Sequence, residues 1–133
     1  MVDTHLFILF LSDTVSGKVH DKRLADEYAY PLPESSELLQ DLGFQGYHLE
    51  GVCITMPTKK PRGQELSLEQ KAINTKISRS RVRIEHVNSS IKRCRIIQDT
   101  CRLYYAETRD MVMEIACGLH NFRLSIKPWV NMT

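Results

Sequence analysis

The chain opens on an almost unbroken apolar run. Residues 5–13 (HLFILFLSD) hold six apolar positions in succession, too few for a helix, and predict a buried strand. Ser16-Gly17 breaks the run. Residues 20–30 are rich in charge with Leu24 and Ala25 on one side, which predicts a short helix stopped by Pro31-Leu32-Pro33. Two more short strands are predicted, over 37–40 and 51–56. Between them Asp41 stands just past the first, followed by Leu42-Gly43-Phe44-Gln45-Gly46-Tyr47, whose two glycines suggest a tight loop. Residues 57–66 (PTKKPRGQEL) are polar, contain two prolines and predict an exposed, mobile connection.

At Ser67 the period changes. Ser67 and Gln70 have capping-box spacing. Ile73, Ile77, Ile84, Val87 and Ile91 then recur at helical steps, so a long helix or a broken pair is expected over 68–97. A last helix is expected over 107–121, with Met111, Ile115, Leu119 and Phe122 on its buried side and Pro128 closing it off. Strand, helix, strand, strand, long helix, helix is an α/β layout with a helical C-terminal end.

Composition adds bounds. With 133 residues, 42% hydrophobic and 26% charged, the chain reads as a single globular domain, 1–133, that needs no disulfide staple. A membrane helix needs about 20 apolar residues in a row, so none is expected, and with no convincing signal peptide the expected location is the cytoplasm. Cys53, Cys94, Cys101 and Cys117 form no CxxC pair and read as reduced thiols rather than zinc ligands. The net charge of +2 hides a split: residues 1–57 sum to −6 and residues 58–133 to +8. Such a split points to a polyanion for the basic half, or to a solvated basic helix.

Residues 71–95 concentrate that charge, with eight basic residues and one acid, Glu85. On a helix, taking Glu85 as zero, Arg81 falls at about −40°, Asn88 at about −60° and Lys92 at about −20°, one stripe beside the isoleucines. Arg81 and Glu85 can simply pair across one turn. The other reading is a metal-binding carboxylate ringed by phosphate-holding cations, which needs a second carboxylate. Asp41 is the candidate, because ligands gather at the carboxyl ends of strands in open α/β sheets; a plain turn-forming role is the alternative.

Four segments in this order resemble the DDE (Asp-Asp-Glu) transposases of bacterial insertion sequences, in the insertion-sequence-five-like branch. They are Gly17-Lys18-Val19-His20-Asp21-Lys22, the 41–47 segment, RSRVRIEHVNSSIKR from Arg79 to Arg93, and ACGLHNFR from Ala116 to Arg123. The resemblance implies a partial RNase H-like fold, a mixed sheet flanked by helices but lacking its first strands. It also implies a catalytic triad holding two Mg2+ (or Mn2+) ions, with the second aspartate at Asp41 and the glutamate at Glu85. Arg81, Glu85 and Lys92 match the family's glutamate signature in spacing; Ser78 stands where the family has a tyrosine.

The family's first aspartate lies earlier than this chain reaches. Asp3 is too close to the first strand to be that residue, and Asp13 and Asp21 come after its place. The resemblance therefore implies the C-terminal part of a transposase catalytic domain, inactive in strand transfer by itself. DNA is the implied partner, held by Arg79, Arg81, Arg83, Lys92 and Arg93, together with full-length transposase, an upstream transposase segment or a second copy of the chain. A non-catalytic DNA-binding or regulatory fragment, or a degraded reading frame, stands as the alternative.

Overall fold

A computed structural model describes residues 1–15, 18–63, 65–98 and 105–129. The expected break at Ser16-Gly17, Gln64 of the 57–66 connection, and Cys101 lie outside the described residues. In chain order the elements are α1 (Asp21–Asp26), β1 (Glu37–Leu39), a 3-10 turn (Leu42–Phe44), β2 (Cys53–Thr55), α2 (Leu68–Lys92), α3 (Arg95–Gln98) and α4 (Ala106–Ile126). The result is a mixed α/β chain with a small two-stranded parallel sheet. The chain divides into two units, Val15–Ser80 and Met1–Thr14 with Arg81–Thr133.

In the Val15–Ser80 unit, β1 and β2 run parallel with Glu37 opposite Cys53, Leu38 opposite Ile54 and Leu39 opposite Thr55. The pairing continues past both strand ends, through Gln40 N–H to the Thr55 carbonyl (3.0 Å) and Cys53 N–H to the Ser36 carbonyl (2.8 Å). Ala25, Tyr47, Val52 and Ile77 are buried here. The predicted helix at 20–30 is shorter than expected, six residues from Asp21, held by Lys22–Asp26 and Arg23–Glu27 pairs one turn apart.

The α2 start follows the predicted capping box. Gln70 N–H donates to the Ser67 hydroxyl (3.1 Å), and the Gln70 side chain accepts from Ser67 N–H (3.0 Å). Asn74 ties the preceding segment down by accepting from Thr58 N–H (2.8 Å) and donating to the Thr58 carbonyl (3.0 Å). At its other end α2 breaks around Arg93 and Cys94 before α3, so 68–97 is a broken pair. Of the expected stripe, Ile77, Val87 and Ile91 are buried, but Ile73 (45% exposed) and Ile84 (39% exposed) are not.

In the second unit the core is Leu6, Val87, Ile91, Ala116, Cys117 and Leu124, with Val2, Phe7, Ile8, Leu11, Cys94, Ile97, Met113 and Trp129 packed against it. Two expectations fail here. Residues 5–13 form no strand beyond an isolated antiparallel bridge between Val2 and Ile8. Asp3 folds the segment instead, its carboxylate accepting from the His5 and Phe7 N–H groups, and Leu6 takes a left-handed φ of 72°. A strand needs a neighbour for its peptide groups, and here α4 side chains take that place. Asn121 both donates to the Ile8 carbonyl (2.9 Å) and accepts from Ile8 N–H (2.8 Å). The Asp110 carboxylate accepts from the Thr14 N–H (2.7 Å) and hydroxyl (2.6 Å), and the His120 ring meets the Leu6 carbonyl at 3.0 Å.

The second failure concerns α4. It runs longer than predicted and buries Ala116, Cys117, His120 and Leu124, while Met111, Ile115, Leu119 and Phe122 stand exposed. The side turned inward is the one whose polar residues can serve the 1–14 backbone. Trp129, just past α4, closes this core with its ring edge-to-face to His86 (6.1 Å) and His120 (5.8 Å).

Candidate functional site

Asp41 follows β1 by two residues, at the carboxyl end of a parallel strand pair, and caps the 3-10 turn: its Oδ1 accepts from Leu42 N–H at 2.8 Å. The side chain is exposed. Beside it, Leu42, Gln45, Met56, Pro57 and Lys59 line an open groove of about 410 Å3.

The turn is held from below by α1. An added Cβ on Gly43 would lie 3.0 Å from Asp21 Oδ2, so the Asp21 carboxylate occupies the space that glycine leaves. Gly46, at φ +83°, has the Lys22 Cε 3.5 Å from the same notional position. Sequence reasoning placed Asp21 at a helix start, and α1 does begin there with Asp21 in its first turn. Its contact with the Asp41 turn was not legible, because it joins residues about twenty apart. Gln40 was also missed: it is buried at 8% exposure, and its side-chain Oε1 has no hydrogen-bond partner.

Glu85 is exposed on α2, in the other unit from Asp41. Arg79, Arg81, Arg83 and Lys92 are on the same helix, Arg93 follows its end, and all five are exposed. They do not share one face. Arg79 and Arg83 fall at about 120° and 160° from Glu85, away from Arg81 and Lys92. Arg83 is engaged locally, its guanidinium donating to the Thr4 carbonyl at 2.9 Å.

Among the described residues no group of three His, Cys, Asp or Glu side chains could hold a metal ion. Asp41 and Glu85 each carry the hard oxygen donors that magnesium prefers. Among the described residues Cys53, Cys94 and Cys117 are free, and burial pushes the Cys117 thiol up. No helix among the described residues is long and apolar enough to cross a membrane.

The elements place one acid just past a parallel strand and another on a basic helix, and sequence comparison states the family. The model of the DDE superfamily endonuclease family matches residues 1–121, and the chain belongs to that family. It is 30% identical over 111 residues to a protein from Microchaete diplosiphon described as "Probable transposase for insertion sequence element IS702". That match covers 84% of this chain and 40% of the relative, so the chain spans well under half the length of the curated relative it matches. No solved structure matches it.

Proposed function

We propose that the chain is the C-terminal part of the catalytic domain of an insertion-sequence-five-like DDE transposase, both units belonging to one RNase H-like domain that works on DNA in the cytoplasm. The observation that carries this reading is the position of Asp41, capping a turn at the carboxyl end of β1 in a chain of this endonuclease family. Asp41 is the second catalytic aspartate and Glu85 the catalytic glutamate. The third carboxylate comes from outside the 133 residues, in keeping with the 40% of the relative that the match covers. Magnesium or manganese, when bound by the complete set, supplies activation of the attacking oxygen and charge neutralisation at the phosphate.

The residues of this chain have other tasks. The Asp41 turn, held through Gly43 by Asp21, presents a carboxylate at a fixed place beside an open groove. Arg81 and Lys92, on the Glu85 side of α2, and Arg93 hold DNA phosphates, which gives affinity and register without base choice.

The test is cleavage of a plasmid carrying the element's ends, with magnesium or manganese, by this chain alone and by the chain fused to the upstream transposase segment. The fusion should cleave, Asp41→Asn and Glu85→Gln should each abolish cleavage, and the 133-residue chain should be inert. Cleavage by the chain alone would mean that another of its acids, such as Asp13 or Asp21, completes the triad. A fusion that binds DNA without cutting it would favour the non-catalytic reading.

A further inference from the structure

The groove beside Asp41 is the place where the chain changes sign. From Glu37 to Pro57 there are three acids, Glu37, Asp41 and Glu50, and no lysine or arginine. The first cation after them is Lys59, and it lines the groove together with Leu42, Gln45, Met56 and Pro57. The boundary between the −6 half and the +8 half therefore runs through one cleft. At about 410 Å3 the cleft is ligand-sized, and it lies at the carboxyl ends of both parallel strands, where open α/β sheets gather their ligands.

Lys59 differs from the lysines that follow it. Lys60 and Lys71 both pair with Glu65, and Lys76 pairs with Glu37. Lys59 is in no ion pair among the described residues. Its main chain, by contrast, is held. The Asn74 side chain of α2 accepts from Thr58 N–H (2.8 Å) and donates to the Thr58 carbonyl (3.0 Å). These two bonds fix the peptide groups that join Thr58 to Pro57 on one side and to Lys59 on the other, and both neighbours line the groove. A cation carried on a fixed backbone has less freedom to lose when it takes a ligand. The Asp41 carboxylate repels a phosphate, and an unpaired ammonium on the groove wall offsets that repulsion. Lysine and glutamine are among the side chains that meet the phosphate and sugar oxygens of DNA, while Leu42, Met56 and Pro57 offer an apolar wall to the carbon face of a deoxyribose.

We propose that this groove holds the DNA backbone beside Asp41, with Lys59 on a phosphate and Gln45 on an adjoining sugar or phosphate oxygen, and that Asn74 is the residue that positions Lys59. The proposal rests on the reading of Asp41 as a residue of a DNA-cutting site, and its test involves neither metal nor cleavage. The 133-residue chain is titrated with a short blunt duplex, by fluorescence anisotropy across salt and by amide NMR, with circular dichroism to check folding. The Gln45 and Lys59 amides should shift with duplex and stay in place with inorganic phosphate at matched ionic strength. Lys59→Ala should lower the slope of log affinity against log salt by about one unit, and Lys59→Arg should restore it. Lys60→Ala removes the same charge from a side chain already bonded to Glu65 and should lower the slope less. Asn74→Ala keeps every charge. It should weaken binding in the wild-type background and not in Lys59→Ala, a coupling that a general loss of stability does not produce. An unchanged slope in Lys59→Ala overturns the proposal, as do an equal fall in Lys60→Ala and amide shifts reproduced by inorganic phosphate. Equal effects of Asn74→Ala in both backgrounds overturn the role of Asn74. An unchanged Lys59→Ala slope beside a fusion that still needs Asp41 to cut sinks the groove and leaves the catalytic reading standing.

Discussion

Single side chains decide how two local structures hold. Thr14 donates twice to Asp110, and these bonds hold the Asp110 carboxyl below its ordinary range, the side-chain bond contributing most. The folded chain therefore binds that proton less readily than the unfolded one. The contribution is fully present above the unfolded-state value and is lost as pH falls through the depressed folded value. Amide exchange at Thr14 should accelerate as pH drops below the usual carboxylate range, after correction for intrinsic rates, and Asp110→Asn should remove that pH dependence. At the Asp41 turn, Gly43→Ala pushes a methyl group to 3.0 Å from Asp21 Oδ2. It should destabilise the chain, and Asp21→Ala should relieve part of the loss. A double-mutant cycle by denaturant unfolding should give a coupling of about 0.5 kcal/mol or more.

Elements follow from how each backbone end and apolar face is satisfied. Both bonds of the Ser67–Gln70 box are made, so Ser67→Ala should cost about 1 kcal/mol, read from the urea midpoint. The two faces of α4 give a sharper comparison. Leu124, 2% exposed, should lose about 2–5 kcal/mol on truncation to alanine. Leu119, 57% exposed, should lose less than about 0.5 kcal/mol. Period alone predicts the reverse, since Met111, Ile115, Leu119 and Phe122 are the larger and more regular set. The inward face is chosen by Asp110, His120 and Asn121, which serve the peptide groups of residues 1–14, a tertiary demand that no helical period encodes. The capping box, β1 and β2 were legible because each is set by near neighbours, whereas the sequence left one long helix or a broken pair open over 68–97. The 5–13 run was misread because hydrophobicity says that a segment is buried, not that a strand lies beside it.

For the molecule as a whole, the charge split between its halves shapes what it can bind. The basic residues of 58–133 should give duplex DNA binding with little sequence preference and a steep fall with salt. Arg81→Ala/Lys92→Ala/Arg93→Ala should flatten the plot of log affinity against log salt by about one unit for each phosphate left without its cation. Arg83, already donating to the Thr4 carbonyl, should contribute less than Arg81 or Lys92. The Asp41 position was readable from a short apolar strand followed by glycines, and the Glu85 position from one acid among eight bases. The support beneath Asp41, from Asp21 and Gly43, was not, because it joins side chains across the fold. Another long-range pairing takes the place of a strand. The Asn121 amide donates to and accepts from the same residue, Ile8, presenting to the main chain the pair of groups that an adjoining strand would present. Ile8 sits in a socket whose plug is built in, and Asn121→Ala leaves that socket open.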